Sequence, residues 1–206
     1  QALTHRSFSQ EDSSSNNNER LEFLGDAALE LAISEHLYSV LPSAREGELA
    51  RLRAAVVSEP SLARKARMLN LGSYLLLGYG EEHAGGRKLD SLLANGLEAV
   101  IGAMYLDLGY NVTAKFILNL FQDDIQSLWE SKDFIDPKST LQEKIQACSQ
   151  GTPIYRVYDE KGPEHDKTFF VEVGWQGRVR GKGYGKTKKE AEQAAAKKAL
   201  KFFKGK

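Results

Sequence analysis

Residues 19 to 41 alternate apolar and polar positions in a helical rhythm, with four acids on one side. Glu19, Glu22, Asp26 and Glu30 are spaced 3, 4 and 4 apart, so at about 3.6 residues per turn they share one narrow stripe. Leu21, Phe23, Leu24, Ala27, Ala28, Leu29, Leu31, Ala32 and Ile33 wrap the remaining faces, and a helix apolar nearly all round belongs in a core or an interface. Carboxylates leaving such a helix are costly unless paired or bound to a metal. The stripe therefore predicts a cation, the alternative being a solvated acidic edge with ordinary salt bridges.

The same rhythm continues along the chain. Asp12 to Asn18 are polar turn formers that make a loop before the acidic helix, with an Asn placed to cap it. Helices are expected from Glu48 to Val57 and from Glu59-Pro60 to about Leu69. The glycine-rich stretch Gly72 to Leu89 reads as a tight connection between helices, and it lacks the Gly-Lys-Ser/Thr of a nucleotide phosphate loop. Asp90 to Leu108 reads as a second largely apolar helix. On it Asn95 and Glu98 share a face, which Gly102 continues without a side chain, so another helix could lie close. Val112 to Trp129 reads as an amphipathic helix with Phe116, Leu120 and Leu128 inward.

Past a polar linker the period changes. Lys138 to Ser149 is helical, Ile154 to Tyr158 and Phe169 to Val173 alternate like strands, and Gly174-Trp175-Gln176-Gly177 turns into Arg178-Val179-Arg180. A final Ala- and Lys-rich helix runs from Lys188 to Phe203, with Thr187 and Glu190 as its capping box. The expected architecture is an all-helical domain over 1–130, a linker over 131–136, and an α-β-β-β-α domain over 137–206.

The formal net charge of zero hides an asymmetry. Residues 1–136 carry 12 basic against 20 acidic residues, and residues 137–206 carry 16 against 8. An acidic first part suits cations, and a basic second part suits a polyanion. No apolar run approaches the roughly 20 residues needed to cross a bilayer, so no membrane partner is expected. The one cysteine, Cys148, excludes an internal disulfide and fits a reducing cytoplasm. The chain opens at Gln1 with neither an initiator Met nor a signal peptide, and we expect a segment to be missing ahead of it.

With the two apolar helices side by side, Glu22 and Asp26 face Asn95 and Glu98: four oxygen-bearing side chains without His or Cys. All-oxygen ligation suits Mg²⁺ or Mn²⁺ rather than zinc. Near a polyanion-binding module, such an ion points to phosphodiester hydrolysis. His5, His36, His83 and His165 are scattered, and no Ser-His-Asp set is evident.

Asn18-Glu19-Arg20-Leu21-Glu22-Phe23-Leu24-Gly25-Asp26 resembles the signature of bacterial ribonuclease III. Ala2 to Phe8, Glu46 to Val57, Gly78 to Asp90 and Asn95 to Gly109 follow the same family's pattern, and residues 137–206 resemble its double-stranded-RNA-binding domain. The resemblance implies a helical nuclease domain that forms a homodimer and cuts both strands of duplex RNA during rRNA and mRNA processing. Hydrolysis by in-line attack of water would leave 5′-phosphate and 3′-hydroxyl ends with short 3′ overhangs. It implies no nucleotide cofactor, and a Mg²⁺ site, with Mn²⁺ as substitute, of Glu22, Asp26, Asn95 and Glu98. Asp26 and Glu98 would be most directly catalytic. Glu19 and Glu59 match accessory acids, although an exposed acid in a helix's first turn explains them as well. Phe23 matches a dimer-contact aromatic, where a core position is the alternative.

In the second domain the family pattern assigns RNA contacts to Gln142 and Glu143, to His165 in Gly162-Pro163-Glu164-His165, and to Lys186, Lys188 and Lys189. Lys197, Lys198, Lys201 and Lys204 read as a solvated face. One departure stands out: Asn95 lies where the family usually has Asp. Its carboxamide offers an oxygen but no charge. The rival reading is therefore a catalytically impaired double-stranded-RNA-binding protein built on the same scaffold.

Overall fold

Two glycines set the geometry of the first half of the computed structural model, which describes residues 1–12, 16–132, 134–148 and 151–203, without the side chains of His165, Phe202 and Phe203. Helix α2 (Glu19–Val40) crosses α6 (Asp90–Leu108). At the crossing, a Cβ on Gly25 would lie 1.8 Å from the Glu98 carbonyl oxygen, and one on Gly102 would lie 2.2 Å from that of Leu21. Only bare backbone permits so close an approach, and the small residues expected to let α6 lie near a partner do so here.

The helices around this pair are α1 (Arg6–Glu11), α3 (Glu46–Val56), α4 (Glu59–Met68), α5 (Tyr79–His83) and α7 (Tyr110–Ser131). Their common core contains Leu29, Ile33, Leu52, Leu62, Leu97, Ile101 and Phe121, all essentially sealed from solvent. Lys65 on α4 is buried too, because its ammonium meets Asp124 on α7 at 2.5 Å. The helix α1 and the short α5 were not anticipated. The stretch 72–89 contains α5 and a 3-10 turn at Gly86–Lys88 rather than a plain connection. On α7 the sealed line is Thr113, Ile117, Phe121 and Ile125, each four residues on, while Phe116, Leu120 and Leu128 only flank it. Asn18 occupies the N-cap of α2 but does not cap it through its side chain; Asn17 does, its Oδ1 accepting from the Glu19 amide at 3.2 Å. Residues 13–15 of that loop lie outside the described residues. By length and composition α6 is apolar enough to cross a membrane, contrary to the sequence reading. In the fold it is a core helix, with Leu93, Leu97 and Ile101 buried.

The chain divides into two units, Gln1–Phe134 and Ile135–Lys206. The division falls inside the stretch expected as linker. Ser131 still belongs to α7, and the Phe134 ring stacks near Trp129 with centroids 6.0 Å apart.

In the second unit α8 (Pro137–Ala147) and α9 (Lys188–Ala199) cover one face of an antiparallel sheet ordered β1 (Ile154–Lys161), β2 (Thr168–Trp175), β3 (Arg178–Gly185). The strands alternate. Val171, Val173 and Trp175 point inward against Leu141, Ile145 and the alanines at 191, 195, 196 and 199. Gly181, Gly183 and Gly185 occupy every second position of β3, and a Cβ at each would lie within 2.5 Å of an α9 atom. Alanine on the helix and glycine on the strand are thus the two sides of one close contact. The final helix ends at Ala199, and Leu200–Phe203 tightens into a 3-10 turn.

Candidate active site and RNA-binding surface

The glycine crossing also positions the acids. Glu22 and Asp26 flank Gly25 on α2, while Glu98 lies one turn before Gly102 on α6 and Asn95 almost one turn earlier. Glu98 has its carboxyl pushed up from 4.5 to about 7, first by burial and then by the charges of Asp26 and Glu22. Glu22 is raised as well, by burial, Glu19 and Asp26, against a smaller opposing pull from Arg6. Three carboxylates from two helices therefore act on one another. Among the described residues none of Glu22, Asp26 and Glu98 has an ion-pair partner. Glu30, the last acid of the stripe, takes the ordinary route and faces Arg53 at 3.9 Å.

Among the described residues no three His, Cys, Asp or Glu side chains form a ready metal cage. The donor set nevertheless fits Mg²⁺. It is all oxygen, and Arg6 offsets its mutual repulsion only in part, at Glu22. Mg²⁺ keeps several waters and needs only one or two carboxylates directly, so a loose acidic cluster suits it better than a tight cage would. Asn95 is half-buried on α6, three residues before Glu98.

The accessory acids separate. Glu19, in the first turn of α2, acts on Glu22 and faces Arg6 at 3.8 Å. Glu59 opens α4 as an exposed residue and is absent from the charges acting on Glu22 or Glu98. Phe23 is 80% exposed, so it is not core. Sequence reasoning missed Arg6. Its only signal was a place in Thr4-His5-Arg6-Ser7-Phe8, with nothing to show that its side chain would face Glu19 in the first turn of α2.

In the second unit Gln142 on α8 and Lys189 on α9 line one cleft of about 490 Å³, together with Lys138, Tyr155 and Gln193. Glu143 is exposed beside Gln142. Lys186 and Lys188 are exposed at the start of α9, where the helix dipole favours phosphate, although the Glu190 carboxylate already accepts from the Lys186 and Thr187 amides at 2.9 and 3.4 Å. Lys186 already holds Asp166 at 2.6 Å, tying the turn Glu164–Asp166 to that helix start. The His165 side chain and Lys204 lie outside the described residues. The cation Lys188 reaches Glu160 only at 4.0 Å.

An acid-lined crossing in the first unit, followed in sequence by a small α-β-β-β-α unit with a basic helix start, is the combination expected of a nuclease that handles duplex nucleic acid. The family model described as Ribonuclease-III-like matches residues 1–125, and that of the double-stranded RNA binding motif matches residues 137–202. Ribonuclease 3 of Desulforamulus reducens is 49% identical over 207 residues, covering 100% of this chain and 84% of its own length. That of Borreliella burgdorferi is 48% identical over 97% of this chain and 82% of its own. The nuclease domain of Campylobacter jejuni ribonuclease III is 45% identical and superposes with a TM-score of 0.56, covering 59% of this chain and 82% of that one. The chain belongs to the ribonuclease III family. It is an endoribonuclease that processes double-stranded RNA.

Proposed function

We propose that the chain works as a Mg²⁺-dependent homodimer that cuts both strands of duplex RNA, leaving 5′-phosphate and 3′-hydroxyl ends with short 3′ overhangs, in cytoplasmic processing of rRNA and mRNA precursors. The observation that carries this reading is the carboxylate cluster at the α2–α6 crossing, with Glu98 held up to about 7 by burial and by the charges of Asp26 and Glu22, and with Arg6 opposing the repulsion only at Glu22. Glu22, Asp26 and Glu98 would hold the ion, with the Asn95 oxygen beside them. When bound, Mg²⁺ polarises a phosphoryl oxygen and lowers the pKa of water. Asp26 and Glu98 orient the attacking water in line with phosphorus. Dimerisation is supported by the open side of α2, where Phe23, Leu31 and Tyr38 are exposed, and by the Campylobacter jejuni nuclease domain, described with a region involved in dimer formation. Gln142, Glu143, His165, Lys186, Lys188 and Lys189 would grip the duplex by shape, through 2′-hydroxyls and phosphates.

A second reading, a duplex-binding protein with a weakened site, is favoured by Asn95 alone. Incubating the full chain with duplex RNA and Mg²⁺ beside Glu98→Gln separates the two. The first reading expects cleavage by the wild type and intact binding without cleavage by the variant. Uncut duplex in both, at saturating Mg²⁺, would leave only the second.

A further inference from the structure

The first eleven residues are stitched to two neighbours. Amides of Leu76 and His5 exchange hydrogen bonds with the carbonyls of Leu3 and Leu76 at 2.8 and 3.0 Å. Gly78 donates to Ser7 Oγ at 2.9 Å and Tyr79 to Glu11 Oε1 at 2.8 Å. On the other side, the Asn18 side chain donates to the Ala2 carbonyl at 3.3 Å and the Gln1 side chain to that of Asn17 at 2.9 Å. A six-residue helix with no buried residue is thereby held against α5, and the residues just before it are held to the loop that enters α2.

This fixes Arg6 beside the acids. Its Nη1 stands 3.8 Å from Glu19 Oε1, beyond hydrogen-bond range, and its side chain is 65% exposed. Its charge is the cationic influence on the Glu22 carboxyl. Four other arginines of this unit are engaged: Arg53 donates to Ser34, Arg64 to Asp124, Arg67 to Asp90, and Arg87 to Glu82 and two carbonyls. Arg20, exposed beside Glu19, makes no side-chain hydrogen bond among the described residues. No hydrogen bond from the Arg6 guanidinium is found among the described residues. A guanidinium is a rigid fork of five donors that matches a phosphate. A phosphodiester approaching Glu19, Glu22, Asp26 and Glu98 is repelled by all four. A fixed cation with unused donors at the rim of that cluster offsets the repulsion where the strand arrives.

We propose that Arg6 grips a backbone phosphate of the RNA on the Glu19 side of the acidic cluster and so positions the strand against Glu22, Asp26 and Glu98. This rests on the active site proposed above. The competing role is a counter-charge to Glu19 and Glu22 that never touches RNA.

The test uses the full chain as wild type, Arg6→Gln and Arg6→Lys. Duplex binding is measured without Mg²⁺ between about 50 and 200 mM salt, and cleavage is measured with Mg²⁺. For Arg6→Gln, Kd and KM should rise about tenfold, kcat should hold, and the slope of log affinity against log salt should become shallower by about one. Arg6→Lys should keep the wild-type slope and recover part of the affinity. Melting temperatures of all three should agree. An Arg6→Gln chain with wild-type slope and KM overturns the proposal, whether or not its Mg²⁺ requirement changes. So does an affinity loss that accompanies a fall in melting temperature and is not recovered by Arg6→Lys. Because binding is read without metal, a wild type that fails to cleave would sink the active-site reading and leave the phosphate grip to be judged by the slope.

Discussion

Gly25→Ala tests the crossing that builds the site. The added Cβ would start 1.8 Å from the Glu98 carbonyl oxygen, 2.6 Å from its carbon and 2.8 Å from the Gly102 nitrogen. All three are backbone atoms, so no side chain can swing aside. Moving the closest contact from 1.8 Å to the 3.4 Å at which ordinary contact begins requires α6 to retreat by about 1.6 Å. Overpacking of this kind costs about 1 to 3 kcal/mol, which for a chain of this size lowers the melting temperature by roughly 2 to 4 °C per kcal/mol. The same retreat carries Glu98 away from Asp26 and Glu22. A misplacement of about 1 Å at a reacting centre can cost on the order of 10²-fold in rate, so kcat should fall at least that far while the chain stays folded. Gly47→Ala is the matched control: its Cβ would meet only the tip of Arg51, at 3.7 Å, and an added methyl in α3 should be neutral or stabilising by up to ~1 kcal/mol. Melting curves and single-turnover cleavage of both variants decide the matter. A Gly25→Ala chain with the wild-type melting temperature and rate would show that the helices are not held by bare backbone and that the acids do not depend on their spacing.

Further predictions concern charge and assembly. Glu98 has its carboxyl raised from 4.5 to about 7, so the folded chain holds that proton more tightly than the unfolded one, and the stability it contributes is lost as pH climbs from about 4.5 to 7. Metal-free Glu98→Gln should melt with the wild type near pH 4 and above it at pH 8, where Mg²⁺ should raise the wild type more than the variant; parallel curves across that window would contradict the coupling. Asn95→Asp should lower the Mg²⁺ needed for half-maximal cleavage, since a unit charge about 4 Å away at an effective dielectric of about 20 is worth at most about 4 kcal/mol; an unchanged requirement would remove Asn95 from the ligand set. Phe23→Asp should shift sedimentation from dimer to monomer without lowering the protomer's stability, because the ring is 80% exposed; a dimer that survives would place the interface elsewhere.

Much of this protein is legible along its chain because neighbours three and four apart on a helix meet whatever surrounds them. The stripe Glu22 and Asp26, the pair Asn95 and Glu98, and the helices carrying them follow from spacing alone. So does the capping box of Thr187 and Glu190, which the structure reproduces. Periodicity could not distinguish an apolar side chain that is buried from one left open. Phe23, Leu31 and Tyr38 read as part of an enclosing wrap, yet they stand exposed. Nor could spacing decide that Glu30 would pair with Arg53 while Glu22 would have no ion-pair partner among the described residues. Those outcomes depend on which face α6 covers, and α6 lies where two glycines more than 70 positions apart in sequence let two backbones touch. The placement of Arg6 has the same origin: residues far apart in the chain hold α1 in place, and no local pattern of six residues encodes its neighbour. Local spacing specified the chemical groups, while long-range backbone contact determined which of them share a site.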